Sequence, residues 1–132
     1  QASTFSGFKL NSFFPYTLAA RHAAQAGWND AILVNQYGRV ADSTIANVFI
    51  FQDGEWKTPA VSEGPVAGVY RRFILESVPA SETTISIHDL RAADAIVLCN
   101  SIRGVQWVQQ FEDRFYSAQE PEKLFHQLSS TF

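Results

Sequence analysis

Short apolar runs, each closed by a turn signal, constrain the fold of this chain more than any other feature. Runs of four or five residues that stay apolar are typical of buried strands. Such runs occupy residues 31–34 and 95–99, and a third, opened by Asn47, occupies residues 47–51. Helix-like segments precede the first run and separate the second from the third, and 132 residues are enough for one domain with a core of its own. The sequence therefore predicts a one-piece α/β or α+β domain.

Periodicity and capping signals predict the remaining elements. Pro15 suits the first turn of a helix and Gly27 its end. Asp53-Gly54 is a strong hairpin signal. Helices are predicted at residues 15–26, 68–77, 88–93 and 121–129. Further strands are predicted at residues 39–41, 55–58, 83–87 (exposed) and 104–111, with a loop at 59–66.

The composition excludes several classes of function. The net charge is −3, so the chain lacks the basic footprint of a protein that binds nucleic acid or an anionic membrane. No run of about 18 apolar residues occurs, so no membrane span is predicted. The single cysteine, Cys99, excludes an internal disulfide and suits a reducing compartment, so we expect a cytoplasmic protein with a buried structural thiol.

The histidines give no sign of a metal site. His22, His88 and His126 are scattered along the chain without the spacing of metal ligands. We expect His22 and His126 on helix surfaces and His88 in a turn.

Lys9 and Asp42 are the two side chains with the most specific chemistry. A desolvated lysine amine can react with an aldehyde cofactor, and Phe8 and Leu10 give Lys9 an apolar setting. Pyridoxal chemistry also needs an acid at the ring nitrogen, and Asp42 stands shortly before the apolar run at 47–51. A surface lysine and an Asx-type turn residue are the purely structural alternatives.

Two segments could bind the phosphate of such a cofactor. Gly68-Val69-Tyr70 begins a predicted helix, whose first N–H groups are free to bind an anion. Asn100-Ser101 follows a buried strand and offers a hydroxyl and amide groups. Arg71 and Arg72 are expected to be solvated or paired on their helix and not to be phosphate ligands. A lysine, an acid and two anion-binding turns are the parts needed to hold pyridoxal phosphate.

Short motifs also recur in one order from about residue 7 to about residue 108. They are Lys9 six residues before Pro15, Ala26-Gly27 before Asp30, Gly38 four residues before Asp42, Asn47-Val48-Phe49, Asp53-Gly54, Thr58-Pro59, Gly68-Val69-Tyr70-Arg71, Ala93-Asp94-Ala95 and Cys99-Asn100-Ser101. This order resembles the C-terminal half of class IV, fold-type IV pyridoxal-phosphate enzymes. That family includes branched-chain and D-amino-acid aminotransferases and 4-amino-4-deoxychorismate lyases.

The resemblance implies an α/β fold, with a mixed, barrel-like sheet and flanking helices, and a role for each matching residue. Lys9 would form the Schiff base with pyridoxal 5'-phosphate and transfer protons. Asp42, in place of the family's usual Glu, would contact the ring nitrogen. The helix start Gly68-Val69-Tyr70 would hold the phosphate through its amides together with Ser101, and Asn100 would shape that turn.

The resemblance also implies a reaction class and partners. Residues 1–132 would form one cofactor-binding C-terminal domain, without the family's N-terminal half, and the absence of any methionine suggests that residue 1 is not the natural start. A small-molecule amine substrate and a homodimer are expected. Residues 100–105 favour an aminodeoxychorismate lyase, which makes 4-aminobenzoate for folate. The alternatives are a branched-chain or D-amino-acid aminotransferase and a truncated, non-catalytic domain.

Overall fold

The structure, a computed structural model, describes residues 4–10, 30–43, 46–101 and 104–130, with the backbone alone for 4–10 and 30. These ranges contain nine strands. The strands are β1 (Thr4–Leu10), β2 (Asp30–Val34), β3 (Val40–Ser43), β4 (Asn47–Gln52), β5 (Glu55–Pro59), β6 (Ala80–Thr83), β7 (Ala95–Asn100), β8 (Gly104–Phe111) and β9 (Arg114–Phe115). The helices are α1 (Val69–Ser77), α2 (Ile87–Ala92) and α3 (Gln119–Ser129), with a 3₁₀ turn at Val61–Glu63.

The strands form one mixed sheet in the order β3-β2-β1-β8-β7-β4-β5-β6, with β9 paired to β8. Neighbours are antiparallel except β5 and β6, which are parallel and joined through α1. A parallel pair needs such a crossover, because a short turn can only reverse the chain. The mixed sheet with flanking helices confirms the predicted fold class, and within the described ranges no pairing of β3 with β6 closes it into a barrel.

Apolar side chains cover both faces of the two central strands. Along β4, Val48 and Ile50 join the core on the face that meets α2, whereas Phe49 joins the core under α1 and α3. In β7, Leu98 and Val97 alternate in the same way. A strand buried on both faces has no polar face, and this explains why these segments are continuous apolar runs in the sequence.

Most predicted elements are confirmed within two residues, including the strand at 104–111 and the helix at 68–77. Asp53 and Gly54 have φ of 55° and 80°, as the predicted tight hairpin requires. The helix predicted at 15–26 lies outside the described residues, as does His22. Strands β1 and β9 were not predicted from the sequence.

The exposed strand predicted at 83–87 is wrong. The strand lies earlier, at β6, and Ile85 is only 1% exposed. Ser86 caps α2 by accepting a hydrogen bond from Asp89 N at 3.0 Å, while Asp89 Oδ2 accepts from Ser86 N at 2.9 Å. This capping box, visible in the sequence as Ser-x-x-Asp, was the stronger signal. It also places His88 in α2 and not in a turn, whereas His126 is exposed on α3 as predicted.

No helix in the described part of the chain is long and apolar enough to cross a membrane.

Candidate functional site

A cavity of about 290 Å³ opens where the ends of β3, β4 and β7 meet the start of α1. Its lining contains every predicted site residue whose side chain is described. The lining residues are Asp42, Ser43, Ala46, Asn47, Val66, Gly68, Val69, Tyr70, Cys99, Asn100 and Ser101. Lys9 lies in β1, opposite Gln110 of β8, and its side chain is outside the described part of the structure. The fold thus brings together three segments that are far apart in the sequence.

Asp42 is a buried carboxylate whose two oxygens are both hydrogen-bonded. Oδ1 accepts from Asn47 Nδ2 at 2.8 Å, and Oδ2 accepts from Val66 N at 2.8 Å. Burial raises the pKa of Asp42 to about 6, against the opposing effects of these two hydrogen bonds and of the Arg71 charge. The local turn is instead made by Ser43, whose Oγ bonds Ala46. The carboxylate of Asp42 is therefore directed across the cavity wall and not into its own turn.

Asn47 connects the acid to the helix start, a role that the sequence reasoning missed. Its Nδ2 donates to Asp42 Oδ1 and also to Val66 O at 2.7 Å. Its Oδ1 lies 2.7 Å from the position that a Cβ on Gly68 would take, so a larger residue at 68 would displace the amide. The available signal was a lone amide opening an otherwise apolar strand, because buried polar groups need partners.

The start of α1 offers free backbone donors to the cavity. Gly68 is the N-cap, and no side chain caps this helix end. The first N–H groups of an α-helix have no partner within the helix, so those of Val69 and Tyr70 can bind an anion. Val69 is 68% exposed, which leaves this end of the cavity open.

Arg71 is buried behind this helix start, and the prediction of a solvated or helix-paired arginine is wrong. Its Nη2 donates to Glu82 Oε1 of β6 at 2.7 Å and to Pro59 O at 3.0 Å. Its positive charge lowers the pKa of both Asp42 and Cys99. Since the side chain is only 4% exposed, this charge is weakly screened and adds positive potential to the cavity.

The end of β7 forms the remaining wall. Asn100 and Ser101 line the cavity, and Tyr70 Oη lies 3.6 Å from the position that a Cβ on Gly104 would take. Cys99 is 1% exposed, which confirms a buried thiol. Burial, and next the charge of Asp42, raises the pKa of Cys99 to about 12, so the thiol stays protonated near neutral pH and is a poor nucleophile.

The arrangement favours a small ligand that places a protonated nitrogen near Asp42 and an anionic group near the start of α1. Asp42 supplies a hydrogen-bond acceptor, and α1 with Ser101 supplies donors. Among the described residues, no cluster of His, Cys, Asp and Glu could hold a metal ion. The described lining thus offers an acceptor at Asp42 and donors at the start of α1 and at Ser101.

Comparison with known proteins finds a matching family and relatives that are aminotransferases or lyases. Residues 1–111 match the family Amino-transferase class IV. Aminodeoxychorismate lyase of Vibrio harveyi is 34% identical over 107 residues, covering 76% of this chain and 39% of the lyase. The protein named "Probable branched-chain-amino-acid aminotransferase" of Synechocystis sp. is 28% identical over 120 residues, covering 86% of this chain and 39% of that protein. The solved 4-amino-4-deoxychorismate lyase of Pseudomonas aeruginosa has a TM-score of 0.72 and 28% identity, covering 80% of this chain and 41% of that one.

The chain spans about two fifths of the length of these relatives. Lyases and aminotransferases both occur among them, so the match does not choose between the two reactions. The matched segment includes every residue that lines the cavity. On this evidence the chain belongs to the class IV aminotransferase family.

Proposed function

We propose that this chain is the cofactor-binding part of a pyridoxal-phosphate-dependent enzyme. Class IV aminotransferases use this cofactor. The observation that carries the proposal is the single cavity that joins a buried carboxylate, Asp42, to an uncapped helix start at Gly68. These residues fit the cofactor, because its ring nitrogen needs an acid and its phosphate needs backbone donors. When bound, the cofactor supplies an electron sink for cleavage of bonds next to the substrate nitrogen.

Asp42 would keep a proton on the ring nitrogen. Its hydrogen bonds to Asn47 and Val66 hold the carboxylate in place, and a cation beside it would lower its pKa below 6. The ionised form would then prevail at neutral pH, which is the form that this role requires.

The phosphate would bind to the N–H groups of Val69 and Tyr70 and to the Ser101 hydroxyl, with Asn100 shaping the turn. The uncapped start of α1 and the buried charge of Arg71 behind it both favour an anion here. Gly68 permits this arrangement because its missing side chain leaves room for Asn47.

Lys9 would bond the cofactor and carry protons at its Nζ. It lies in β1 opposite Gln110, whereas the cavity turn pairs with the other end of β8 at Gly104, so the role of Lys9 rests on its place in the family motif and not on this pairing. A lysine amine can act this way when an apolar setting lowers its pKa.

The reaction that we propose first is that of an aminodeoxychorismate lyase, forming 4-aminobenzoate and pyruvate. The 34% identity with the Vibrio harveyi lyase supports it. An amino-acid aminotransferase is the second candidate, supported by the Synechocystis relative. In either case we propose a homodimer whose active site also includes an N-terminal half, since the relatives are more than twice as long. A cytoplasmic location remains our prediction from the lone buried Cys99.

The test is an intact-mass spectrum with peptide mapping after incubation with pyridoxal phosphate and borohydride. The chain has three lysines, so Lys57→Ala and Lys123→Ala are matched controls for Lys9→Ala. We expect one cofactor mass on Lys9, retained in both controls and lost in Lys9→Ala. An adduct shared among the lysines, or none, would contradict the proposal.

A second assay separates the candidate reactions. Parent protein that is loaded with pyridoxal phosphate but not reduced is supplied with one of two substrate sets. One is 4-amino-4-deoxychorismate, and the other is a branched-chain or D-amino acid plus a 2-oxo acid. Release of 4-aminobenzoate would support the lyase, and 2-oxo acid formation from the amino acid would support the aminotransferase. A Lys9 adduct with neither turnover would support a non-catalytic domain.

A further inference from the structure

The loop between β5 and α1 provides one of the two hydrogen bonds to Asp42. Val66 in this loop donates its N–H to Asp42 Oδ2, and its carbonyl accepts from Asn47 Nδ2 at 2.7 Å and from Gly68 N at 2.9 Å. The orientation of the Asp42 carboxylate therefore depends on where the backbone of Val66 lies.

Apolar burial fixes this loop at one residue, Pro65, which is buried. Val61 is 57% exposed and Val66 is 72% exposed, so neither of these side chains is anchored in the core. Between them, Gly64 has a φ of +97°, a left-handed conformation in which glycine is the favoured residue. The loop therefore has two buried residues, Pro65 and the charged Glu63, and only Glu63 can fix its direction through hydrogen bonds.

Glu63 is the buried anchor of the loop, at 5% exposure. Its Oε1 accepts from Arg39 Nε at 2.5 Å and from Asn35 Nδ2 at 3.3 Å, and its Oε2 accepts from Arg39 Nη2 at 3.1 Å. Asn35 Nδ2 also donates to the backbone carbonyl of Glu63 at 3.0 Å. A bidentate contact between an arginine and a carboxylate fixes the orientation of the carboxylate as well as its distance. It is therefore a stronger anchor than a single hydrogen bond.

The partners of Glu63 are themselves held in the turn between β2 and β3. Asn35 Oδ1 accepts from Tyr37 N at 2.9 Å and from Arg39 N at 3.1 Å. Asn35 N donates to Arg39 O at 2.8 Å. These hydrogen bonds fix the turn, which lies next to β3, the strand that carries Asp42.

We propose that Glu63, locked to Arg39 and Asn35, is a positioning residue that holds the Val66 N–H against Asp42. We call these three residues the Glu63 clamp. The proposal rests on the proposed function, in which Asp42 faces the ring nitrogen of the cofactor. None of the three residues lines the cavity, so the clamp does not contact a ligand there directly.

The clamp can be read out through the titration of Asp42. The described titratable or charged groups facing this region are Arg71 and Tyr70 from α1 and Cys99 from β7. The substitutions used below alter none of these groups. The Val66 hydrogen bond lowers the pKa of Asp42, so its loss raises that pKa as long as the carboxyl stays buried.

The experiment is a ¹³C NMR titration of the Asp42 carboxyl in the cofactor-free chain, assigned with Asp42→Asn. We expect Arg39→Gln and Glu63→Ala each to raise the apparent pKa of Asp42 by about one unit, and Glu63→Gln, which keeps an acceptor for Arg39, to raise it less. Arg91→Gln is the matched control, because Arg91 makes the same two-pronged contact with Glu112, at 2.6 and 3.0 Å, away from the cavity lining.

An Asp42 titration that is the same in Arg39→Gln as in Arg91→Gln would overturn the proposal. Glu63→Ala could unfold the chain because it leaves buried donors without an acceptor. Arg39→Gln replaces a partly exposed side chain, so the test is decided by this variant if Glu63→Ala does not fold. The proposed function is checked separately in the same samples by borohydride trapping on Lys9. If the parent traps no cofactor, the proposed function fails while the titration still decides the clamp.

Discussion

The two central strands have an apolar middle and a polar end, and both parts are buried. Phe49 of β4 and Val97 of β7 pair in the middle and are fully covered. At the cavity end, Asn47 pairs with Cys99, and these residues are 6% and 1% exposed. The middle is stabilised by apolar area removed from water, whereas the cavity end depends on a few directed hydrogen bonds. Equally buried residues are therefore held by apolar packing in the middle of the strands and by hydrogen bonds at the cavity end.

The largest expected effect comes from the apolar middle. Phe49→Ala should lower the free energy of unfolding by about 3–5 kcal/mol, because it leaves a cavity in a close-packed core. Urea unfolding measures this loss. Phe115→Ala is the control: Phe115 is 72% exposed, and its replacement should change stability by less than about 0.5 kcal/mol. Similar losses in the two variants would show that apolar burial does not stabilise the middle of the central strands.

A smaller effect, dependent on pH, is expected at the cavity end. The pKa of Asp42 is about 6 in the folded chain and 3.8 in its ordinary state, so the folded protein binds more protons between these values. The contribution of Asp42 to stability is therefore present below pH 3.8 and is lost as the pH rises to about 6, a decrease of about 2–3 kcal/mol.

Unfolding of the parent and of Asp42→Asn by urea from pH 4 to pH 7.5 measures this term. The parent should lose stability relative to Asp42→Asn as the pH rises. The difference between the two curves isolates Asp42, because Glu63, Asp89 and Glu112 have lowered pKa values and act in the opposite direction in both proteins. Parallel curves would show that the carboxyl is not desolvated as described.

The smallest effect on stability is expected from Gly68→Ala. The added Cβ would lie 2.7 Å from Asn47 Oδ1, so the amide must turn away from Asp42 and Val66, at about 1–2 kcal/mol. The matched control is Gly54→Ala, whose φ of +80° makes alanine costly by a similar amount although nothing lies within 4 Å. We expect only Gly68→Ala to raise the pKa of Asp42. An NMR titration unchanged in both variants would show that Asn47 does not connect the two ends of the site.

Elements with local signals could be predicted from the sequence. The runs at β4 and β7, the hairpin at Asp53-Gly54 and the glycine that opens α1 each depend on neighbours in the chain, and the structure has all of them. The strand β6 could not be found this way. It is a short parallel partner of β5 whose pairing depends on residues more than 20 positions away in the sequence.

The site shows the same division. Asp42, Gly68 and Asn100 were recognised because each belongs to a motif of a few residues, and the fold brings all three to one cavity. Asn47 also belongs to such a motif, but the motif did not reveal its link to the helix start, and Glu63 belongs to none. Their importance lies in hydrogen bonds to residues 19 to 28 positions away, which no local pattern records.

The sequence by itself determined the family, the fold class and the candidate cofactor residues, because short motifs and apolar periodicity are local properties. Only the tertiary structure decided that Arg71 is buried, that Asn47 joins the acid to the helix start and that Glu63 anchors the intervening loop. Burial and partner choice depend on which distant segments pack together. The pKa of Asp42 therefore follows from the assembled cavity and not from its neighbours in the chain.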